Sequence, residues 1–444
     1  MRLPGGETAE YRVGVTPGVR RIGSRGPEAF KDERKRLYLN AAGAERPLES
    51  PVPHETRVRA RRHRLARVRE LLLEHDCAAA LLYDPVNIRY AFDCANMQVW
   101  TLHNPLRYAL IFAEGPGVMF EFKGSEHLCH GLETIDELRT AIGWTYMTSG
   151  DRAPEKASRW AEEIVDLVAT HGGGNKRLAV DRLDLLGLRV LEASDVVIVD
   201  GYPLMEHARS IKSPDEIDIM RWTLRVCEAG MARMYEHSVP GVTEQELMAH
   251  LQFENTRSGG EWLETRLVTC GPNTNPWYGE ASDRPCRVGE MISFDTDMIG
   301  PYGYCADLSR SWTCGYTPMT IKQRELYSAA VEQIEHNTAL IRPGLSFAEF
   351  NDRSWRIPPR FEPYRYSVAV HGVGMGDEWP VVLLHPDFEH SHGGCFEADM
   401  VICVESLIAE PGTESIKLET QVLVTDSGTE RLDSFPFEMS DSSG

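Results

Sequence analysis

The sequence predicts an α+β protein of two domains, the second larger than the first. The chain has 444 residues, which is long enough for two separately packed cores. In the first half, short apolar runs such as CAAALLYD and RYALIFA alternate with helical patterns. After Ser213 the pattern changes to two helices followed by a series of alternating strands. We therefore place an N-terminal arm at residues 1–50, an α/β domain at 51–207 and a second domain at 208–444.

The N-terminal domain is predicted from helices that alternate with short apolar strands. A helix is expected from Glu55 to His75, because apolar residues recur on one side of it and arginines occupy the rest. We expect those arginines to face solvent or to pair with acidic surface. A second helix is expected over residues 156–170, and the strand RLAVD follows it. At Ser213 the sequence SPDE joins an N-cap serine, a proline and two acids, which predicts the start of a new helix.

Composition and charge narrow the classes of partner. The formal net charge is −20, with 26% charged and 42% hydrophobic residues. Such an excess of acids repels a phosphate backbone, so nucleic acid is not an expected partner. No apolar run predicts membrane insertion, and the N-terminus lacks the apolar segment of a secretory signal. The ten cysteines show no CxxC or Cys/His zinc spacing, so we expect the reduced thiols of a cytoplasmic protein.

Six potential metal ligands follow one another along the second domain. They are Asp295, Asp297, Asp307, His371, Glu405 and Glu419. The acids lie in runs with strand alternation, where a charge is normally avoided. Asp295 and Asp297 are two residues apart, so a strand would turn both side chains toward one site. Five carboxylates and one imidazole repel one another unless cations lie between them, and this ligand set suits manganese, iron, cobalt or zinc.

Several motifs resemble the metallopeptidase family with the pita-bread fold, which contains methionine aminopeptidases, prolidases and creatinase. GYCADLSRSW and VAVHGVGMG resemble two of its metal-site elements, and SIKSPDEIDIMRWT resembles the entry to its catalytic domain. The resemblance covers roughly residues 60–430. It implies a creatinase/prolidase-like protein with a smaller α/β N-terminal domain and a C-terminal pita-bread catalytic domain. It also implies a site for two divalent metal ions.

The chain departs from the peptidases at residues that serve peptide hydrolysis. In those enzymes the first two metal aspartates lie eleven positions apart, but here Thr296 stands eleven before Asp307 and is flanked by two aspartates. Trp277 in GPNTNPWYG stands where the family has a histidine. HGVGMGDEWP carries Asp377 and Glu378 in place of a closing Val-His. Without those imidazoles, protonating a leaving amine and stabilising an oxyanion become difficult, so the sequence disfavours peptide hydrolysis.

The chemistry that remains favours an elimination reaction. Metal ions that bind a substrate carboxylate acidify the neighbouring carbon, and a carboxylate such as Asp377 can then remove its proton. Aromatic rings suit a cationic leaving group, so a substrate that carries a sulfonium or a quaternary ammonium group is expected. The candidate rings are Trp100, Trp277, Tyr278, Tyr366 and Trp379.

These features together resemble a non-peptidase branch of the same fold family, the dimethylsulfoniopropionate lyases. The matching segments are FDTDMIG, YCADLSRSW, HGVGMGDEWP, VICVESL and KLETQ. The resemblance implies a carbon–sulfur lyase that takes a small zwitterionic sulfonium substrate and releases dimethyl sulfide and acrylate. It also implies an iron-containing binuclear site and a homodimer. It implies that the six residues above are the metal ligands and that Asp377 is the base. It further implies that Tyr366 and Trp100 line the substrate pocket, and we also expect Tyr366 to be catalytic.

Other functions stay open at the level of sequence. The metal ligands alone also fit an Xaa-Pro dipeptidase or aminopeptidase, although the replaced histidines oppose it. A non-catalytic binding protein on the same scaffold has no need for five buried carboxylates, and a creatinase-like amidinohydrolase would not need the metals. Zinc, manganese and cobalt stay open beside iron. The sequence also leaves open which of Asp295 and Asp297 bridges the two ions.

Overall fold

The computed structural model describes residues 47–385, 387 and 392–438. The predicted N-terminal arm lies almost entirely outside these residues. The α-helices, in chain order, are α1 His54–Glu74, α2 Pro85–Phe92, α3 Gln98–His103, α4 Tyr146–Ser149, α5 Ala153–His171, α6 Leu185–Glu192, α7 Tyr202–Ser210, α8 Pro214–Glu236, α9 Glu244–Arg257, α10 Ile321–Leu340 and α11 Phe347–Arg353. The strands are β1 Ala79–Leu82, β2 Tyr108–Phe112, β3 Gly117–Glu121, β4 Glu137–Thr140, β5 Arg177–Val180, β6 Val197–Asp200, β7 Trp262–Leu263, β8 Val268–Cys270, β9 Met291–Phe294, β10 Met298–Ile299, β11 Cys305–Ala306, β12 Arg310–Thr313, β13 Val368–Val373, β14 Asp377–Leu383, β15 Val401–Ile408, β16 Ile416–Thr425 and β17 Gly428–Arg431.

The first six strands form one sheet, in the order β4-β3-β2-β1-β5-β6. β1 pairs in parallel with β5 and antiparallel with β2. Trp160 and Ile164 of α5 pack in one core with Leu81 of β1 and Tyr108 of β2. The alternation of helices and apolar strands in this half of the chain is confirmed, since the helix predicted over 156–170 is α5 and RLAVD contains β5.

Two arginines of α1 depart from the prediction of a solvated helix face, whereas Arg59 and Arg62 are exposed as predicted. Arg61 and Arg64 are buried. Arg64 Nε donates to the carbonyl oxygen of Tyr90 at 2.8 Å, and its Nη1 donates to the hydroxyl of Tyr304 at 2.8 Å. Its Nη2 lies 3.2 Å from the carboxylate of Asp93. The prediction was wrong here because a guanidinium with several partners can be buried, and α1 thereby joins the N-terminal sheet region to the second half of the chain.

The second half contains a five-stranded antiparallel sheet in the order β14-β13-β15-β16-β17. Leu326 and Ile334 of α10 pack in one core with Val404 of β15. Two smaller sheets have the orders β11-β10-β7 and β12-β9-β8. The backbone N–H of Lys417 in β16 donates to Ser311 Oγ in β12 at 3.0 Å, which joins the large sheet to a small one. The predicted ligands meet at the junction between these sheets.

The segment ISFDTDMI is not the single strand that its alternation predicted. β9 ends at Phe294 and β10 begins at Met298, so Asp295 and Asp297 lie in the connection between two short strands. Asp297 has a φ of 35°, in the left-handed region that non-glycine residues rarely adopt. A short polar side chain tolerates this conformation better than an apolar one, because it can hydrogen-bond locally. The prediction that the two aspartates lie within one strand was therefore wrong.

Membrane-spanning helices and a disulfide framework were not expected from the sequence. In the described ranges, none of the helices is both long and apolar enough to cross a lipid bilayer. All ten cysteines are free thiols, and all but Cys395 are buried.

The helix start predicted at Ser213 is confirmed and gives a test of the fold. The Ser213 hydroxyl accepts from the N–H of Glu216 and donates to its carboxylate at 2.9 Å, and all of these atoms are buried. Thr243 makes the same capping box at the start of α9, but exposed to solvent. We expect Ser213→Ala to lower the free energy of unfolding by roughly 1–2 kcal/mol, because it removes a cap and a buried donor.

Urea denaturation of Ser213→Ala and of the matched Thr243→Ala measures the difference between the two caps. The exposed cap should cost less, since water replaces the lost partner. An effect at Ser213 no larger than that at Thr243 would show that burial adds nothing to this helix start.

Candidate metal centre

The structure brings the six predicted ligands into one buried cluster. His371 in β13 is at its centre, with Nε2 3.2 Å from Glu419, 3.3 Å from Glu405 and 3.5 Å from Asp307. Nδ1 of the same ring lies 3.0 Å from the carbonyl oxygen of Gly372, and this contact directs Nε2 toward the acids. Ligand atoms of Asp295, Asp297 and Asp307 also lie within 4.8 Å of one another.

Thr296 explains how two flanking aspartates reach the same site. The threonine is fully buried, and its hydroxyl donates to the carbonyl oxygen of Ala306 and accepts from the N–H of Leu308, both at 2.9 Å. This side chain therefore fixes the backbone beside Asp307 and is turned away from the ligand role. The left-handed conformation of Asp297 allows the next side chain to return to the cluster, where the Thr265 hydroxyl donates to its carboxylate.

The last two ligands are held by the largest sheet. Glu405 in β15 and Glu419 in β16 are direct partners across the antiparallel pair. Facing residues in such a pair have their side chains on the same side of the sheet, so the two carboxylates approach each other. Ser309 Oγ donates to Glu419 Oε2 at 2.8 Å, which restricts its position further. The strand prediction for VICVESLIA and IKLETQVLVT is confirmed.

Lys417 belongs to the cluster, and the sequence analysis missed it. Its Nζ lies 2.5 Å from Glu405, 3.0 Å from Asp295 and 3.2 Å from Glu419. The residue is fully buried. A signal was present in the sequence, because Lys417 lies two residues before Glu419 in the same strand and so shares its face. A buried lysine without an acidic partner would be very costly, which marks it as part of a charged site.

The electrostatics of the cluster show how strongly its acids oppose one another. Burial, followed by the charge of Asp295, raises the pKa of Asp297 well above its usual range. Burial, followed by Glu419, does the same for Asp307. Burial also raises the pKa of Glu419 to about 7, although Lys417 opposes the shift. Burial acts in the same direction on Asp295, but the charge of Lys417 together with hydrogen bonds from Asp307, Lys417 and Ser309 outweighs it and lowers the pKa of that carboxyl to about 2.

These observations fit a site for divalent metal ions. With all five carboxylates ionised, Lys417 compensates one negative charge and leaves four, which two divalent cations would neutralise. Three overlapping groups of residues could each hold an ion; they are Asp295, Asp297 and Asp307, then Asp295, Glu405 and Glu419, and then Asp307, His371, Cys403 and Glu419. Oxygen ligands with one imidazole suit the transition metals that were expected from the sequence.

Asp377 lies beside the cluster and differs from its acids in accessibility. Its carboxylate is 3.7 Å from His371 Nδ1, and its side chain is 57% exposed, whereas Asp307, Glu405 and Glu419 are 3% exposed or less. Desolvation by the surrounding protein raises the pKa of Asp377, with a further contribution from Glu405. Asp377 is thus a carboxylate that borders the ligands and stays open to a small molecule.

Three of the predicted aromatic residues surround one side of the cluster. Lys417 Nζ lies 5.1 Å from the ring centre of Tyr366 and 6.0 Å from that of Trp277. The Tyr278 ring is 5.7 Å from the Tyr366 ring and is largely exposed. Trp277 occupies the position where the resemblance places a histidine, and it is buried. These rings are placed where they could contact a substrate.

The other two predicted aromatic residues have different neighbours. Trp100 in α3 packs edge-on against Phe122 at 5.8 Å and lines a surface cleft with Trp262. Trp379 packs against His392 at 4.1 Å and against His207 at 5.5 Å. Neither set of contacts includes a ligand of the metal centre. Glu264, which the sequence analysis did not single out, lies nearer to the site, since its backbone N–H donates to the carbonyl oxygen of Asp297 at 2.9 Å.

Comparison with known sequences shows the family of the chain. Metallopeptidase family M24 matches residues 218–426. The chain is 41% identical to dimethylsulfoniopropionate lyase DddP of Roseovarius nubinhibens over 389 residues, which cover 86% of this chain and 87% of that protein. It is 40% identical to dimethylsulfoniopropionate lyase DddP of Roseobacter denitrificans, with 85% and 86% of the two chains covered.

Comparison with solved structures supports the fold. The prolidase from Pyrococcus horikoshii superposes with a TM-score of 0.68 at 19% identity and covers 85% of this chain and 99% of its own. The Xaa-Pro dipeptidase from Bacillus anthracis gives a TM-score of 0.67 at 20% identity, with 85% and 99% covered. At this identity the likeness concerns the fold alone, and the predicted creatinase/prolidase-like fold with an M24 domain in the C-terminal half is confirmed.

The extent and identity of the sequence match therefore assign this chain to the family of the dimethylsulfoniopropionate lyases DddP, whose members share the fold of the M24 metallopeptidases.

Proposed function

We propose that this protein is a metal-dependent carbon–sulfur lyase that cleaves dimethylsulfoniopropionate to dimethyl sulfide and acrylate. Two relatives that are 40–41% identical over most of the chain are named for this activity. The observation that carries the proposal is Asp377, an accessible carboxylate beside a buried cluster of metal ligands. It stands where the sequence predicted a base and where the peptidases have a different residue.

The residues of the cluster would hold divalent metal ions. These are Asp295, Asp297, Asp307, His371, Glu405 and Glu419, as predicted from the sequence, and Lys417 supplies a fixed positive charge among them. When bound, the ions supply Lewis acidity toward a carboxylate, which makes a proton on the adjacent carbon easier to remove. We propose two ions, and we propose iron, because the resemblance implies both.

Asp377 acts as the general base in this proposal. Its carboxylate takes a proton from the carbon next to the substrate carboxylate, and the electron pair of that C–H bond becomes the second bond between the two methylene carbons. The C–S bond breaks at the same time, and its electron pair leaves with sulfur as neutral dimethyl sulfide. The accessibility of Asp377 suits this role, because its 57% exposed side chain can be reached by a substrate.

The aromatic side chains give the sulfonium end of the substrate a favourable surface. A sulfonium ion carries a positive charge without a hydrogen-bond donor, so ring faces are better partners for it than hydrogen-bond acceptors. Tyr366 and Tyr278 are adjacent and Tyr278 is open to solvent, while Trp277 closes the site from behind. We propose these three residues as the substrate-binding wall, with Tyr366 closest to the cluster.

We further propose a cytoplasmic homodimer. The free thiols of all ten cysteines are compatible with a reducing compartment, and the resemblance implies the dimer. Size-exclusion chromatography with light scattering measures the oligomeric state directly.

The function itself is tested by its volatile product. Purified protein supplied with iron and dimethylsulfoniopropionate should release dimethyl sulfide into the headspace, while an Xaa-Pro dipeptide should yield no free amine. Amine release without dimethyl sulfide would replace the proposal with the dipeptidase alternative. A protein that binds no metal and turns over neither substrate would favour the non-catalytic alternative.

Asp377→Asn tests the base. The amide keeps the size of the side chain but cannot accept the proton, so kcat should fall by about 100-fold or more. Metal content, measured by plasma mass spectrometry, should not change, because Asp377 is not among the proposed ligands. Asp352→Asn, on the exposed face of α11, is the matched control and should behave as the wild type. Full activity of Asp377→Asn would assign the base elsewhere.

His371→Ala tests the metal centre. The imidazole is within 3.5 Å of three acids, and its removal should lower both metal content and activity. Ions that bind only the folded state also stabilise it, so the gain in melting temperature on adding metal should be smaller in the variant. His63→Ala, on the exposed side of α1, is the control. Unchanged metal content in His371→Ala would remove this residue from the ligand set.

A further inference from the structure

A buried ionic network lies behind Asp377, on the side of β14 opposite the metal centre. Glu378 follows Asp377 in the strand and is almost completely buried. Its carboxylate accepts from Arg209 Nε at 3.1 Å and is also hydrogen-bonded to Lys212 Nζ. Both cations come from the segment at the end of α7, and both are buried as well. Lys212 is itself fixed, because its backbone N–H donates to the carbonyl oxygen of Asp399 at 3.0 Å.

The pairing of β13 with β14 explains why neighbouring residues face opposite ways. Asp377 pairs with Val373 and Glu378 with Gly372, but the next pair joins Val381 to His371, so residues 379 and 380 form a bulge. A bulge redirects the side chains beside it. Successive side chains of a strand point to opposite faces, and Asp377 therefore faces His371 while Glu378 faces the two cations.

The two glycines of the HGVG segment allow Glu378 and the backbone of β14 to pack closely against β13. A Cβ added at Gly374 would lie 2.3 Å from Glu378 Oε1, and one added at Gly372 would lie 2.2 Å from the carbonyl oxygen of Trp379. Any side chain at either position would thus collide with the carboxylate or with the backbone of β14. The strand that carries the base is packed directly onto the strand that carries the ligand His371.

The same network reaches into the N-terminal sheet. Glu206 of α7 pairs with Arg209 and accepts the backbone N–H of Trp379 at 2.8 Å, so β14 is held at two consecutive residues. Arg209 also donates to Asn87, whose amide donates to Asp181 at 2.9 Å. Asp181 follows β5. A chain of charged and polar contacts therefore runs from the first sheet to the residue next to the proposed base.

We propose that Glu378 is a positioning residue for the reaction, because its buried bonds to Arg209 and Lys212 fix the part of β14 that aims Asp377 at the substrate. This inference rests on the proposed function of Asp377. It assigns a role to the acid that stands in a replaced catalytic motif: Glu378 is not itself a catalytic residue, since its carboxylate is directed away from the cluster and neutralised by two cations.

The first test is Glu378→Gln. The amide is close in size to the carboxylate but cannot neutralise the two buried cations, so the end of α7 and β14 should shift relative to each other. A small displacement of a base costs roughly 10- to 100-fold in turnover. We expect kcat to fall by this factor while KM and metal content stay close to wild type, because the ligands and the aromatic wall are not touched.

A second variant separates positioning from loss of stability. Removing one member of a buried ion pair is strongly destabilising, whereas removing both is often tolerated. Glu378→Gln with Lys212→Met should therefore recover melting temperature relative to Glu378→Gln alone. If Glu378 only stabilises the fold, kcat returns together with stability. If Glu378 positions Asp377, kcat stays low in the double variant. Glu254→Gln is the matched control, because it removes a buried acid paired with Arg257 at 3.2 Å in α9 and should leave kcat unchanged.

Crystal structures of the wild type and of Glu378→Gln give a reading that does not depend on activity. A displaced Asp377 carboxylate, further from His371 Nδ1 than in the wild type, supports the inference even if the substrate of the enzyme proves to be a different compound. An unmoved Asp377 together with unchanged kcat would overturn it. Failure of the proposed function is distinguishable from failure of this inference, because the wild type would then release no dimethyl sulfide.

Discussion

Repulsion among buried carboxylates is the constraint on which the rest of this structure depends. The five carboxylates of the cluster are all nearly inaccessible to solvent, and burial followed by their mutual charge raises the pKa of Asp297, Asp307 and Glu419. Such a group persists only if cations compensate it and if rigid elements hold it together. Lys417 compensates part of the charge from within the chain, and the paired strands β15 and β16 supply the rigidity. Divalent metal ions at the candidate site would compensate the remainder.

Around the candidate metal centre, the chain differs from the peptidases at neighbouring residues. The peptidases of this fold resemble the chain in their metal ligands but place histidines where it has Trp277 and Glu378. In the structure, Trp277 is buried beside Lys417, and Glu378 is turned toward Arg209 and Lys212. The accessible acid is instead Asp377, one residue earlier. The chain thus presents an accessible carboxylate one residue before the position where the resemblance places an imidazole.

The sequence predicted the fold and the membership of the cluster better than it predicted local geometry. Charges at strand centres, as at Glu405 and Glu419, are detectable because strands have a fixed alternation. The aspartates around Thr296 follow the same pattern, yet they lie between strands, since hydrogen bonds of Thr296 to distant backbone decide the conformation. The burial of Arg64 was also missed because it depends on contacts between residues that are distant in sequence. Its partners Tyr90 and Tyr304 are far apart in the chain, and sequence periodicity carries no information about such pairs.

The measurement that tests the central claim most directly is the identity of the three-carbon product. Removal of a proton by Asp377 with simultaneous loss of dimethyl sulfide leaves acrylate, whereas attack by metal-activated water on the carbon that bears sulfur leaves 3-hydroxypropionate. We expect nuclear magnetic resonance of a complete turnover to show acrylate in equal amount to dimethyl sulfide. Formation of 3-hydroxypropionate in place of acrylate would show that the centre still delivers hydroxide, and would contradict the assignment of Asp377 as a base.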